Sequence, residues 1–157
     1  MALLPENAAF QRKLAELPLA SYHAGDTVLS DGSTTGRLFI LKTGAVAIIK
    51  DSVEIGKIVE PGAVFGELSV LLNSPHTADV VAVEASQFYV ADGASEFMRD
   101  PLTLLYVATL LARRLNRANQ ALIGLKQQVQ AGEPRPVIGE TVDQIARFLS
   151  ASGVTIH

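Results

Sequence analysis

The 157-residue sequence contains no cysteine. That excludes a disulfide framework, a thiolate nucleophile and any cysteine-ligated metal, and it allows a reducing compartment. Charge is sparse: Asp, Glu, Lys and Arg make up 18% of the chain, against roughly 25% in soluble proteins generally. The 13 basic and 16 acidic residues leave a net charge of −3. Coating of nucleic acid by bulk electrostatics is thereby excluded, although a local basic stripe stays open. Long apolar runs are missing as well. The longest, near Leu104 to Ala112, meets Arg113 and Arg114 well short of the ~20 residues that a membrane span needs. The opening Met-Ala-Leu-Leu-Pro-Glu lacks the basic and apolar regions of a secretion signal. The expectation is a soluble, cytoplasmic protein that makes no use of a membrane. An apolar content of 48% excludes general disorder.

Histidine is also scarce. His23, His76 and His157 lie far apart, and none sits in HExxH or another metal spacing. There is no Walker loop, GxGxxG or GxSxG, and no Ser/His/Asp order stands out. A cupin, the natural rival for a small β-roll, needs a His-rich metal cluster with a Glu, which this chain lacks. The expectation is a protein that is not an enzyme and carries no metal and no cofactor.

What is present fits one domain and a tail. Pro5 suits a first helical position, and Ala8, Ala9, Leu14 and Leu17 follow at rough helical spacing before Pro18, which predicts an N-terminal helix within 1–18. From Ser21 to Asp92 the texture changes. Short apolar runs at 27–29, 37–41, 45–50, 54–59, 80–84 and 87–91 are separated by glycines such as Gly25, Gly32, Gly44 and Gly62. Strands at that spacing predict a compact β-sandwich or barrel, with Asp51-Ser52 as a hairpin turn. One stretch breaks the pattern: Gly66 to Leu72 holds about two turns of helix-compatible sequence inside the β region.

After Asp100-Pro101 comes a long helix. Leu104, Ala108, Leu111, Leu115, Ala118, Leu122, Leu125 and Val129 are spaced 4-3-4-3-4-3-4, a seam of about three and a half heptads. Such a seam either lays the helix on its own β-domain or joins two copies. The preferred reading is a homodimer through 104–129, with the N-terminal half of the helix on the domain. Arg113, Arg114 and Arg117 read as a solvated helix face. Residues 131–136 read as a linker within a tail of 131–157, and 141–150 as a last helix opened by a Thr141/Gln144 capping box and ended by Gly153.

The segment Pro61 to Ser69 joins three physical elements. Gly62 and Gly66 permit close backbone approach. The amides that open the short helix have no intrahelical partner and can hold a phosphate. Glu67 offers a carboxylate to a hydroxyl, and Ser69 a hydroxyl to a phosphate oxygen. On physics alone, an ordinary turn and helix is the plainer account.

Residues 65–82, FGELSVLLNSPHTADVVA, closely resemble the phosphate-binding cassette of cyclic-nucleotide-binding domains, which runs FGE(L/I)(A/S)LL, a few residues, then P-R-(A/S/T)-A-x-V-x-A. Tyr22 to Asp26 with Gly32 resembles the family's entry motif, and Leu38 to Val46 its paired strands. The resemblance covers roughly 18–128. It implies a mostly β fold with flanking helices: a double-stranded β-helix, or jelly roll, over 19–130, closed by a long C-terminal helix that lids the pocket. It also implies a ligand, cyclic AMP or cyclic GMP, and a site. Within Phe65-Gly66-Glu67, all counted in the site, the glycine and the glutamate line the ribose side, with Glu67 accepting from the 2′-hydroxyl. The amides of Leu68 and Ser69 point at the cyclic phosphate. Thr77, followed by Ala78, takes the small or hydroxylic position and leaves both bases open.

The departure is at His76, where the family places an arginine. A guanidinium is always charged and forks onto a phosphate, whereas an imidazole near pH 7 is mostly neutral. Losing a charge-assisted hydrogen bond costs roughly 1.5–3 kcal/mol, or about 10- to 150-fold in affinity. Either His76 still donates to the phosphate, better at low pH, and binding is weaker, or the pocket has lost this ligand. Three functions follow. The first is a cyclic-nucleotide sensor that signals by moving its C-terminal helix. The second is a dimeric interaction module of the same fold with no nucleotide, recruiting an unidentified effector protein. The third is the sensor half of a transcription regulator. The 28 residues after Val129 are too few for the winged helix-turn-helix of that group, so no direct contact with nucleic acid is expected.

Overall fold

Strand β3 (Leu38–Thr43) shows how the domain is layered. Its residues Leu38, Phe39, Ile40 and Leu41 are all buried, although a strand alternates its side chains between two faces. Phe39 and Leu41 enter an inner core with Val46, Ile48, Phe65 and Phe88. Leu38 and Ile40 enter an outer core with Phe10, Leu14, Met98, Tyr106 and Val107. The sheet holding β3 is therefore covered by a second sheet on one side and by helices on the other. The computed structural model in which these contacts are seen describes residues 8–150, with side chains to residue 145.

The first sheet runs β1-β8-β3-β6 and includes β1 (Leu19–Tyr22), β6 (Val64–Phe65) and β8 (Ser86–Ala91). The second runs β2-β7-β4-β5, from β2 (Thr27–Leu29), β7 (Asp79–Ala82), β4 (Val46–Lys50) and β5 (Val53–Ile58). All the pairings are antiparallel. This is a jelly roll with flanking helices. The Asp51-Ser52 turn joins β4 to β5 with both residues at positive φ, 50° and 65°, as a tight hairpin turn demands. Helix α1 (Ala8–Ala15) buries Phe10 and Leu14, four residues apart, and Pro5 lies outside the described residues. Helix α2 (Glu67–Leu72) is the insertion in the β region, and α3 (Ala94–Phe97) leads into the long α4 (Pro101–Gln130).

Helix α4 starts at Asp100, whose carboxylate accepts from the Thr103 amide at 3.0 Å, with Pro101 at the first helical position. Its seam divides. Leu111 packs on the outer core, Ala118 is buried and Leu125 is half-buried. Leu104, Ala108, Leu115, Leu122 and Val129 are exposed.

The tail differs from the sequence reading. Only Ala131 to Pro134 breaks the helix, with Gly132 at φ 72°, and α5 (Arg135–Ser150) starts six residues ahead of Thr141. Pro136 does not block this start, because a first-turn proline gives up an amide that has no intrahelical partner. Thr141 is thus no cap. It lies inside α5, and its hydroxyl donates to Gln128 Oε1 at 2.7 Å, fastening the returning helix to α4. Helix α5 also packs against β5. Gly153 lies outside the described residues. Among the described residues, no helix is long and apolar enough to cross a membrane.

Candidate functional site

The cassette begins where β6 ends. Gly66 sits at φ 94°, and a Cβ there would lie 2.6 Å from the Arg37 carbonyl oxygen, so only glycine makes this turn. The chain then enters α2 with no side chain capping its first amides. The hydroxyl of Ser69 is used within the helix end: it donates to the Ser74 carbonyl, while the Asn73 amide donates to the Ser69 carbonyl. What Ser69 and Leu68 offer a ligand is therefore their backbone amides. Phe65 and Ala78 are buried in the inner core and hold the two ends of the cassette to the roll. Thr77 is exposed.

Glu67 is 1% exposed, which is unusual for a carboxylate. Its Oε1 accepts from Arg114 Nη1 of α4 at 3.1 Å. The Arg114 side chain is itself only 13% exposed, and its second nitrogen lies 3.5 Å from the Val64 carbonyl. Arg114 is thus not part of a solvated face, as the sequence suggested, while Arg113 and Arg117 are exposed. The signal was present in the spacing. Arg114 is three residues after Leu111 and four before Ala118, both on the covered side of α4.

A second tie joins α4 to the cassette. The Tyr106 hydroxyl donates to the Gly62 carbonyl at 2.5 Å, and a Cβ on Gly62 would come 2.6 Å from that hydroxyl. Tyr106 and Arg114 are eight residues apart, about 12 Å along the helix. The loop before the cassette and its first helical residue are thus gripped by one rod.

His76 is not a solvated loop residue; it is 8% exposed. Its backbone is stapled to the β2–β3 loop, with its amide donating to the Ser33 carbonyl and its carbonyl accepting from the Gly32 amide. Its Nε2 is 3.1 Å from Thr35 Oγ1, and its Cε1 lies beside Gly66. Thr35 Oγ1 also accepts from the Arg37 amide at 3.2 Å, which holds the hydroxyl in place beside the ring. Burial lowers the imidazole pKa from its ordinary 6.5. The ring, wedged between Gly66 and Thr35, braces the cassette, and burial disfavours its charged form. The guanidinium that meets the cassette carboxylate comes from α4. Arg114 and Thr35 are the residues that motif reading missed.

A cyclic nucleotide-binding domain model matches residues 19–97, just over half of the chain. The cAMP-dependent protein kinase regulatory subunit of Yarrowia lipolytica is 33% identical over 69 residues, covering 44% of this chain and 18% of that one. The cyclic AMP receptor protein of Thermus thermophilus is 29% identical over 120 residues, covering 72% of this chain and 52% of that one. The chain thus spans only part of the length of these relatives. Among solved structures, Sp-2Cl-cAMPS bound to PKAR CBD2 superposes with a TM-score of 0.58 at 26% identity, covering 84% of both chains. The Thermus thermophilus catabolite activator protein gives 0.54 at 23% identity, covering 92% of this chain and 84% of that one, a likeness of fold. The matched family model and the jelly roll agree: this chain belongs to the cyclic nucleotide-binding domain family, whose members among these relatives are regulatory modules.

Proposed function

We propose that this chain is a cyclic-nucleotide sensor that reads cyclic AMP or cyclic GMP in the cassette and reports through α4. One observation carries the reading: a fully buried glutamate opens α2 and is held by an arginine of the long helix. A buried carboxylate is kept only when it is paired and hydrogen-bonded. Glu67 therefore wires the position that takes a ribose hydroxyl directly to the element that moves. A nucleotide that donates its 2′-hydroxyl to Glu67 redistributes the Arg114 contact, and the phosphate meets the amides of Leu68 and Ser69 beside Thr77. The energy available to shift α4 is the difference in nucleotide affinity between its two positions. The exposed row Ala108, Leu115, Leu122 and Val129 supports a homodimer through α4, whose geometry such a shift would alter. An effector protein would then read the dimer. The role is regulatory and not enzymatic, in a cytoplasmic setting.

Two observations favour the second reading, an interaction module without nucleotide. Arg114 already holds Glu67, beside a His76 whose charged form burial disfavours. Titration calorimetry with both nucleotides, at about pH 6 and about pH 8, separates the two. The sensor binds one or both, and because burial lowers the His76 pKa, any tightening at the lower pH is smaller than an unperturbed imidazole would give. His76→Arg tightens binding by about 10- to 150-fold. Absence of binding by the wild type and by the arginine variant overturns the sensor reading. Markedly tighter binding at the lower pH would show that His76 takes up a proton with the ligand.

A further inference from the structure

Beside the loop that leads into the cassette, residues of β3, β5, α4 and α5, with Glu60 to Ala63 of that loop, wall a concave cavity of about 740 Å³, within the range of roughly 300–1,000 Å³ typical of small-molecule sites. Its lining has a strong charge bias. Lys42 comes from β3, Lys57 from β5, and Arg113, Arg114 and Arg117 from α4, against a single carboxylate, Glu60. Five of the chain's 13 basic residues thus converge on one cavity of a protein whose net charge is −3.

These charges are also largely unspent. Elsewhere Lys13, Arg37 and Lys50 pair with Asp100, Asp92 and Asp31. Among the described residues, Lys42, Lys57, Arg113 and Arg117 enter no ion pair. Lys42 stands 5.7 Å over the Tyr89 ring, which steers its ammonium without neutralising it. Arg113 and Arg117 are one helical turn apart, an arrangement that repels unless an anion lies between them. Apolar wall is supplied by Ile58, Leu110 and Tyr106. We propose that this cavity is a second anion site, distinct from the cassette, which takes a compact phosphate-bearing molecule with an apolar body.

Arg114 is a wall of this cavity and also the partner of Glu67. An anion bound here competes with Glu67 for that guanidinium and so bears on the cassette, with a reciprocal effect of the cassette on the anion. The inference of the site itself does not rest on the sensor reading.

The test uses the full chain and tripolyphosphate as probe, by calorimetry at low ionic strength. Three variants are compared with the wild type. The double variant Lys57→Gln/Arg117→Gln removes two exposed cavity charges. The control Arg12→Gln/Lys126→Gln removes two exposed charges outside the cavity. Thr77→Val alters the cassette. The cavity variant should lose at least about tenfold in affinity, while the other two stay within about twofold of wild type. Three results overturn the proposal: no binding by the wild type, an equal loss in the charge control, or a loss confined to Thr77→Val. The first removes the site, the second reduces it to bulk charge and the third moves the anion into the cassette. None of these results depends on whether cyclic nucleotide binds.

Discussion

The two halves of α4 carry the same heptad spacing and have different fates. In the first half Thr103, Tyr106 and Val107 are buried, Leu110 and Leu111 pack on the outer core, and Arg114 reaches Glu67. In the second half only Ala118 is buried, while Leu115, Leu122, Ile123 and Val129 are all more than half exposed. The heptad row is exposed in both halves, at Leu104 and Ala108 as at Leu115, Leu122 and Val129, and what covers the first half is the neighbouring face of Thr103, Tyr106, Val107 and Leu110. Fully burying a leucine is worth about 1.5–3 kcal/mol. The first half therefore holds the helix to the roll, and the second leaves its apolar row exposed. One helix thus combines an anchor on the roll with an arm that α5 fastens at Gln128.

Perturbing the anchor should have the largest effect. Phe10 is fully buried and stacks on Tyr106 with ring centroids 4.3 Å apart, so Phe10→Ala should cost about 3–5 kcal/mol in chemical denaturation. A loss below about 1 kcal/mol would mean that the first half is no better held than the second. Next comes the latch. Arg114→Met leaves the Glu67 carboxylate in the core without its guanidinium, and should cost about 3 kcal/mol at neutral pH. Adding Glu67→Gln should recover part of that loss; if it does not, the ion pair is not what joins α4 to the cassette.

A smaller effect follows from His76. Its folded-state pKa lies below the ordinary 6.5, so on acidification the unfolded chain takes up the proton first. This group's contribution is intact above that value and declines as pH falls through and below it. His76→Asn should flatten the acid slope of the melting temperature in that window, and an unchanged slope would mean that the ring is charged in the fold. The smallest effect on a single chain is expected in the arm. Leu115→Arg should change its stability by no more than about 0.5 kcal/mol. By light scattering the same variant should be monomeric, and a wild type that is itself monomeric would end the claim that the arm pairs.

Several features could be read directly from the residues. Phe65-Gly66-Glu67 announces a turn and a helix start within three residues, and Asp51-Ser52 announces its hairpin, because local dihedral demands select local residue types. The strand pattern was legible because the apolar runs and their glycines recur at regular distance. The short elements were not. β6 has two residues and is held by pairing Phe65 and Val64 with Phe39 and Ile40, distant partners that leave no local period. β1 has a half-exposed pattern that resembles a loop, and α3 is a single turn. The Arg114–Glu67 pair spans 47 positions, and nothing in the composition of either segment announces the other. The return of α5 depends on a four-residue break and a contact between Thr141 and Gln128, a tertiary choice that a proline-rich stretch disguised as a linker.

The Tyr106 hydroxyl bond to Gly62 also gives the molecule an optical property. The chain has three tyrosines and no tryptophan, so tyrosine emission is not drained to an indole. A phenol that donates to a carbonyl emits weakly, and one released into water emits more brightly. Any ligand that lifts α4 off the Gly62 loop should therefore be visible in the native, unlabelled protein as a rise in ultraviolet fluorescence.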